Sequence, residues 1–259
     1  MVVKIQSLGI VSFIISLSGG KDSTAMTLKL FELGYRVDEI IFFDTGWEFP
    51  QIIENIDKLE KYLEKTYNWT KGITRLRPKE SFDFLLEEKE IQKGKRQGEK
   101  GYGWCQPSRY RSARWCTGQK EKTITKYLNQ TYGGSKNYVQ YIGFAYDEKR
   151  RMKENVNQLY PLNDFKFSEK RALRYCYEKG FDFGGLYRYF RRVSCWCCPL
   201  QGDKELKNLF LNFPALWEKL KEMDSKTYNQ FRAKYTLEEF ESKWKTQKLI
   251  EYCNCGIEV

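Results

Sequence analysis

Residues 10–33 read IVSFIISLSGGKDSTAMTLKLFEL, and this stretch decides the fold. Residues 10–16 are apolar and rich in β-branched side chains, which predicts a buried strand. Beyond Ser18 to Ser23, apolar residues recur with the period of a helix until Gly34. The stretch therefore predicts a strand, a glycine-containing loop and a helix, in that order.

The same pattern recurs further along the chain. Residues 37–43 predict a second strand, residues 44–46 a turn, and residues from about 50 to 67 a helix with a proline in its first turn. Residues 73–76 and 138–144 predict two more strands. Because strands that alternate with helices form parallel sheets, we expect an open, Rossmann-like α/β sheet.

The length of 259 residues predicts one large domain, or one domain with a subdomain. Residues 89–114 hold eight basic residues, two acidic residues and four glycines, which predicts a mobile basic loop. Beyond residue 168 the sequence favours short helices rich in aromatic residues and lysine, including 210–223 and 237–250. We therefore expect an α/β domain over residues 1–160 that carries the basic loop. A helical, cysteine-containing C-terminal subdomain would follow over residues 161–259.

Charge and histidine content limit the possible functions. The 45 basic and 34 acidic residues give a net charge of +11, which favours a polyanionic partner such as a nucleotide or a nucleic acid. The chain has no histidine, which excludes Ser-His-Asp and Cys-His catalytic pairs and imidazole metal ligands. Any metal must therefore bind to Cys, Asp or Glu side chains.

Two further features concern the compartment. No run of 18 or more apolar residues occurs, and the apolar stretch near the start fits neither a transmembrane span nor a signal peptide. Eight cysteines in a chain of this length indicate reduced thiols rather than a disulfide scaffold. We expect a cytoplasmic protein with no membrane contact.

The segment from Ser18 to Ser23 has the composition of a phosphate-binding loop. A phosphate needs backbone N–H donors at a helix N-terminus, and glycines let the chain approach the anion closely. The spacing is neither the GxxxxGK[ST] of a Walker motif nor GxGxxG. An ordinary strand-to-helix turn, in which Ser18 caps the helix and the glycines only allow a positive φ, is the alternative.

The sequence SGGKDS after an apolar strand resembles the PP-loop of the adenine nucleotide α-hydrolase, or ATP pyrophosphatase, superfamily. Residues 44–50, DTGWEFP, resemble the DTGxEFP element of the PAPS reductase family. The chain is thus similar to sulfonucleotide reductases and to the ATP pyrophosphatases of DNA phosphorothioation. Further matches are residues 114–117 with Lys120, residues 142–144 with the charged pairs at 147–148 and 150–151, and residues 160–165. The resemblance covers residues from about 10 to 200.

This resemblance implies a bound adenine nucleotide, either ATP or the sulfonucleotides PAPS and APS. It implies phosphate contacts from the loop residues Ser18, Gly19, Gly20, Lys21, Asp22 and Ser23. It implies nucleotide contacts at the neighbouring strand ends from Asp44, Thr45, Gly46 and Gly143. Mg²⁺ would bind the carboxylate oxygens of Asp22 and Asp44.

Catalytic roles are implied for Asp22 and Lys21 in the loop and for Arg150 and Arg151. The two arginines would neutralise charge that develops on the transferred group. The alternative for these arginines is a solvated surface.

The cysteines predict a metal site. Residues 195–199 read CWCCP, and the spacing of Cys195 and Cys198 lets two thiolates bind one metal or cluster. Cys116 lies in the segment where the family has a partner cysteine. Cys105 is the expected fourth ligand, and Cys197 is the alternative. An iron–sulfur cluster is preferred and zinc is the alternative. The family's cluster-bearing members have two adjacent cysteines where this chain has only Cys116. Cys176 and Cys197 are interpreted as small buried residues.

The C-terminal residues 253–257, CNCGI, resemble the ECG[IL]H tail of sulfonucleotide reductases, in which the cysteine accepts sulfite from the nucleotide. Cys255 would then be a catalytic nucleophile, activated by nearby basic residues. Glu258 stands in place of the histidine. A metal clip, a persulfide carrier and a disordered end are alternatives.

Three functions follow from these residues. The first is an enzyme of sulfur transfer that adenylates an acceptor with ATP and releases pyrophosphate. Its acceptor would be a nucleic acid bound by the basic loop, and a sulfur-donor protein would be its partner. The second is a PAPS or APS reductase that releases sulfite. The third is a nucleotide-sensing domain without catalysis.

Overall fold

The computed structural model describes residues 11–106, 114–152, 155–193 and 195–255, with side chains as far as residue 246. Within these ranges the chain forms a sheet of five strands, all parallel, in the order β3-β2-β1-β4-β5. The strands are β1 (Ser12–Leu17), β2 (Glu39–Phe43), β3 (Thr74–Leu76), β4 (Tyr138–Ile142) and β5 (Gln158–Leu159). The predicted open α/β sheet is confirmed.

The central strand β1 is apolar because both of its faces are covered. Ile14 and Ile15 are fully buried, and β1 pairs with β2 on one side and with β4 on the other. Strand β4 ends two residues earlier than predicted, because Phe144 turns back and donates its N–H to the Ile142 carbonyl at 3.0 Å. Strand β5 is too short for a sequence pattern to reveal it.

Nine α-helices are present in the described ranges. They are α1 (Lys21–Glu32), α2 (Pro50–Tyr67), α3 (Phe82–Glu87), α4 (Trp115–Tyr132), α5 (Pro161–Asp164), α6 (Glu169–Glu178), α7 (Asp203–Asn212), α8 (Pro214–Ser225) and α9 (Leu237–Cys255). Helix α2 shows how the pattern works, because Ile52, Ile56, Leu59 and Leu63 recur every three or four residues and are all buried. No described helix combines the length and the apolar character that crossing a membrane requires.

The chain divides into two compact units. The first comprises Met1–Pro78, Gln119–Arg188 and Arg192–Ser194, and it contains the sheet. The second comprises Lys79–Gly118, Tyr189–Arg191 and Cys195–Val259, and it contains α3, the first turn of α4, and α7 to α9. The domain boundary expected near residue 160 stays a prediction.

Two helical predictions in the second unit change in the structure. The helix predicted over residues 210–223 is two helices, because Pro214 cannot continue α7 and instead occupies the first turn of α8. The helix predicted over residues 237–250 is α9, which runs on to Cys255. Stacked and tilted aromatic rings form the core between these helices: Phe210, Trp217, Phe240 and Trp244.

Backbone hydrogen bonds join parts of the basic segment to each other. Ile91 donates its N–H to the carbonyl of Glu99, and Gly98 donates to the carbonyl of Ile91, both at 2.9 Å. Gly101 has a φ of +73°, and a Cβ there would lie 2.8 Å from the Glu87 carbonyl oxygen. Residues 89–106 form a loop whose residues 101–105 are mostly buried, and the mobility predicted for residues 89–114 stays a prediction. Gly101 and Gly103 allow close approaches to other residues, whereas Gly94 and Gly98 have open space where a Cβ would lie. Residues 107–113 lie outside the described residues.

Candidate functional site

The strand order identifies a binding position at one edge of the sheet. The chain proceeds from β1 to β2 on one side and returns to β4 on the other, so β1 and β4 flank a topological switch point. Open α/β sheets bind ligands at the carboxyl ends of the strands at such a point. The loop from Ser18 to Ser23 follows β1, and Gly143 follows β4.

Hydrogen bonds within the loop after β1 fix its shape. The Ser23 hydroxyl accepts the Ser18 N–H at 3.1 Å and lies 2.9 Å from the Ser18 hydroxyl. The N-cap of α1 is Gly20, and no side chain caps this helix. The interpretation of Ser18 as a helix cap is therefore wrong. An uncapped N-terminus leaves backbone N–H groups and the positive end of the helix dipole to an anion.

Two glycines bring the backbone close together at the switch point. Gly19 has a φ of +77°, and a Cβ there would lie 2.6 Å from Cγ2 of Ile52. A Cβ on Gly143 would lie 2.8 Å from Cα and 2.9 Å from the backbone nitrogen of Ser23. The sequence TGW after β2 adds a third glycine, Gly46, with a φ of +80° and open space where a Cβ would lie. Gly143 therefore lies against the loop at the first turn of α1.

Lys21 is buried and paired with two carboxylates. Its Nζ lies 3.0 Å from Oδ2 of Asp22 and 3.2 Å from Oε2 of Glu169. Arg192 lies 3.6 Å from Glu169 and is also ion-paired with Glu148. The Lys21 charge thus holds the carboxylates beside the loop.

Asp22 has an atom without a partner. Its Oδ1 is buried and accepts no hydrogen bond from a described residue. Burial raises the pKa of Asp22 from 3.8 to about 6, although the Lys21 charge lowers it in part. A buried oxygen acceptor without a partner beside an uncapped helix N-terminus fits a ligand that brings its own donor or cation.

Asp44 is already occupied on both carboxylate oxygens. Oδ1 accepts the Gly46 N–H at 2.9 Å, and Oδ2 lies 2.8 Å from the Arg77 guanidinium. Among the described residues no three Cys, Asp or Glu side chains form a group that holds a metal ion. The predicted Mg²⁺ site at Asp22 and Asp44 stays a prediction.

Thr45 organises the turn after β2 with Glu48. The Thr45 N–H donates to Oε2 of Glu48 at 3.0 Å, and its hydroxyl lies 2.8 Å from both Glu48 oxygens. Burial raises the pKa of the Glu48 carboxyl. Glu48 is part of DTGWEFP, but the sequence did not single it out as a site residue. Only the fold shows that its carboxylate accepts hydrogen bonds from Thr45 in this turn.

Arg150 and Arg151 differ in their surroundings. Both are exposed, and Arg151 lies 2.8 Å from Glu148 and 4.2 Å from the centre of the Phe144 ring. The catalytic roles expected of both arginines stay predictions.

Two residues remote in sequence contact the loop and were missed by sequence reasoning. The buried Tyr187 hydroxyl accepts the Lys21 N–H at 2.7 Å, and the Cys176 thiol donates to the Lys21 carbonyl at 3.3 Å. Burial raises the pKa of both side chains well above their usual ranges. Cys176 is fully buried, as its packing interpretation requires. No sequence pattern links either residue to a loop more than 150 positions away.

The cysteines of the second unit are brought together in part. The sulfurs of Cys105 and Cys116 lie 3.8 Å apart, and the hydrogen bond from the Cys105 thiol lowers the pKa of Cys116 and raises that of Cys105. Cys195 and Cys198 lie in one turn, in which Cys198 donates its N–H to the Cys195 carbonyl at 3.1 Å. The described residues contain no group of three metal donors, so the predicted ligand set does not fit zinc or a cluster.

Three other predicted residues lie beyond the described parts of the chain. Arg109 and Arg111 fall within residues 107–113. Cys255 ends helix α9, but its side chain is outside the described residues, as is residue 258.

These features define an open α/β domain with a glycine-containing loop at its switch point, and comparison with known proteins gives its family. The model of the phosphoadenosine phosphosulfate reductase domain matches residues 12–201, and the chain belongs to this family. The predicted resemblance is thereby confirmed, and the family supports a PP-loop nucleotide-binding enzyme.

Two relatives come from Methanocaldococcus jannaschii. The uncharacterized protein MJ0066 is 27% identical over 226 residues, which are 79% of this chain and 40% of the relative. The uncharacterized protein MJ0973 is 26% identical over 211 residues, which are 79% of this chain and 45% of the relative. The chain thus spans less than half the length of these curated relatives.

Proposed function

We propose that the chain binds ATP at Ser18 to Ser23 and adenylates an acceptor in sulfur transfer, with release of pyrophosphate. One observation carries the proposal: the uncapped N-terminus of α1 lies at the switch point between β1 and β4. There the helix dipole and backbone N–H groups attract a phosphate.

The charges around the loop support backbone recognition of the phosphate. Three cationic side chains, Lys21, Arg151 and Arg192, pair with three carboxylates, Asp22, Glu148 and Glu169. Their charges sum to about zero, so they add little net attraction for an anion. Backbone N–H groups therefore supply the attraction, and the exposed Arg150 adds a cation for charge that develops on the transferred group.

A nucleic acid is the proposed acceptor. The eight basic residues within 89–114 favour a polyanion, and Arg114 is exposed. Replacing Arg109, Arg111 and Arg114 by alanine should reduce the slope of log affinity against log salt by about 0.9 for each lost contact with a duplex phosphate. The matched control replaces the exposed Lys61, Lys65 and Lys136 by alanine and should leave the slope unchanged. Equal slopes for both triple variants would remove the basic segment from acceptor binding.

The second candidate is a sulfonucleotide reductase. The intact DTGWEFP element favours it, and Glu48 bonds this turn in the way described above. Glu258 in place of the tail histidine argues against it.

The test supplies the full chain with ATP or with PAPS and measures pyrophosphate and sulfite separately. Pyrophosphate from ATP supports the proposal, and sulfite from PAPS supports the reductase instead. If neither pyrophosphate nor sulfite is released, the result favours a nucleotide-sensing domain. Asp22→Ala and Ser23→Ala should abolish turnover without unfolding, whereas Asp57→Ala, at an exposed ion pair on α2, should retain it. Wild-type turnover in both loop variants would remove the loop from the mechanism.

A further inference from the structure

Cys105 and Cys116 are placed for reaction with each other. Their sulfurs lie 3.8 Å apart, which is a hydrogen-bonding distance for two thiols. A disulfide has a sulfur–sulfur distance of about 2.05 Å, so the two sulfurs must move closer to form one. Cys105 is buried and Cys116 is partly exposed, so the two thiols differ in access to solvent.

Neighbouring tryptophans hold each cysteine in position. The Trp115 Nε1–H donates to the Gly103 carbonyl at 2.9 Å and thereby connects the start of α4 to the loop that carries Cys105. The Trp115 ring also packs edge-on against Phe82, with the ring centres 5.1 Å apart. The Cys116 backbone is therefore fixed from two sides.

Cys105 is fixed by an equally specific set of bonds. The Trp104 N–H donates to Oδ1 of Asn229 at 2.8 Å, and Nδ2 of Asn229 returns a bond to the Trp104 carbonyl at 3.0 Å. The Trp104 indole N–H donates to Asp224 at 2.9 Å. These bonds hold the backbone next to Cys105, whose sulfur lies beside that of Cys116.

We propose that Cys105 and Cys116 form a thiol–disulfide exchange site for low-molecular-weight disulfides of the glutathione type. The thiolate of Cys116, the more exposed of the two, attacks the small disulfide and releases one glutathione thiolate. Cys105 then loses its proton to solvent and attacks the Cys116 sulfur, which releases the second glutathione. The chain gives up two electrons and two protons, and two glutathione thiols form. The site does not depend on the nucleotide loop.

The test uses the full chain, reduced and purified anaerobically, in buffers of varied oxidised and reduced glutathione. After acid quenching and alkylation, trypsin cleaves at Arg109, Arg111 and Arg114, between the two cysteines. A disulfide therefore joins two separate peptides. We expect this linked pair to increase in one reversible two-electron transition. Free, alkylated Cys105 and Cys116 at every buffer ratio would overturn the proposal.

Single variants test the order of attack. Cys105→Ser should accumulate one glutathione per chain on Cys116, because no second thiol resolves it. Cys116→Ser should leave the buried Cys105 unmodified, and the control Cys176→Ser should form the same linked pair as the wild type. If a variant does not fold, the wild-type titration decides. Stoichiometric iron or zinc that is lost on Cys105→Ser or Cys116→Ser would also overturn the proposal, because the pair would then be metal ligands.

Discussion

The phosphate loop and the cysteine pair are built in opposite ways. The loop is six consecutive residues, and the groups proposed to bind the phosphate are backbone N–H groups at the start of α1. The cysteine pair joins residues eleven positions apart. The indole N–H groups of Trp115 and Trp104 bond to Gly103 and Asp224, the Trp104 backbone N–H bonds to Asn229, and these bonds position the pair. A site made of contiguous backbone is recognisable in a sequence, whereas a site made by converging side chains is not.

Gly143→Ala should have the largest effect. The new Cβ would lie 2.8 Å from the Ser23 Cα, so the backbone of the loop must move. We expect nucleotide turnover to fall by about 100-fold, because small displacements of positioning groups have effects of that size. Gly118→Ala, where nothing lies within 4 Å, is the matched control and should keep wild-type turnover. Steady-state pyrophosphate or sulfite release measures both, and equal rates would contradict close packing at the switch point.

Gly101→Ala applies the same change to the cysteine-bearing segment. Its Cβ would contact the Leu86 carbonyl and lie 2.8 Å from that of Glu87, at a φ of +73°. We expect the free energy of unfolding to fall by about 3 kcal/mol. Gly98 has a similar positive φ, but a Cβ there would meet nothing. Gly98→Ala should therefore lower the free energy of unfolding by only about 1 kcal/mol. Denaturant unfolding compares the two, and the clash is disproved if both variants lose the same amount.

The pH dependence of nucleotide binding tests Asp22. Its raised pKa of about 6 means that the carboxyl is neutral below pH 6 and charged above. A carboxylate beside a phosphate repels it, so affinity without divalent cations should fall as the pH rises through 6. We expect about a tenfold loss between pH 5 and 8, equivalent to one pKa unit.

Asp22→Asn is the control for that titration, because the nucleotide phosphates titrate in the same range. Calorimetric titrations should give nucleotide affinities for the wild type and for Asp22→Asn that differ only above pH 6. Parallel curves would show that Asp22 does not face the nucleotide.

Tyr187→Phe should have the smallest effect, and it probes how the loop is held. The variant loses the hydroxyl that accepts the Lys21 N–H, so stability should fall by about 1 kcal/mol. The released N–H becomes available to a phosphate, and we expect nucleotide affinity to rise by about fivefold. Tyr141→Phe removes a hydroxyl that bonds the Arg36 carbonyl, and it should change stability alone. Weaker nucleotide binding in Tyr187→Phe would mean that the tyrosine supports the binding-competent loop.

Sequence reasoning succeeded where one local pattern defines one element. The strand–loop–helix unit, the parallel sheet and the family all follow from contiguous residues with clear periodicity. It did not reveal the close contacts of Gly101 and Gly103, because those contacts are made with residues outside the segment 89–106. It also missed the break at Pro214, because the apolar period continues across it.

The sequence by itself determined that a glycine-containing loop and a helix follow a buried strand, because strand burial, glycine φ values and helix starts are local properties. Tertiary structure decided the partners of the loop, since Tyr187 and Cys176 contact Lys21 from remote positions. It also decided that Asp44 bonds Arg77 and that Cys105 meets Cys116. These contacts depend on how distant segments pack, and packing is a property of the whole chain rather than of any window within it.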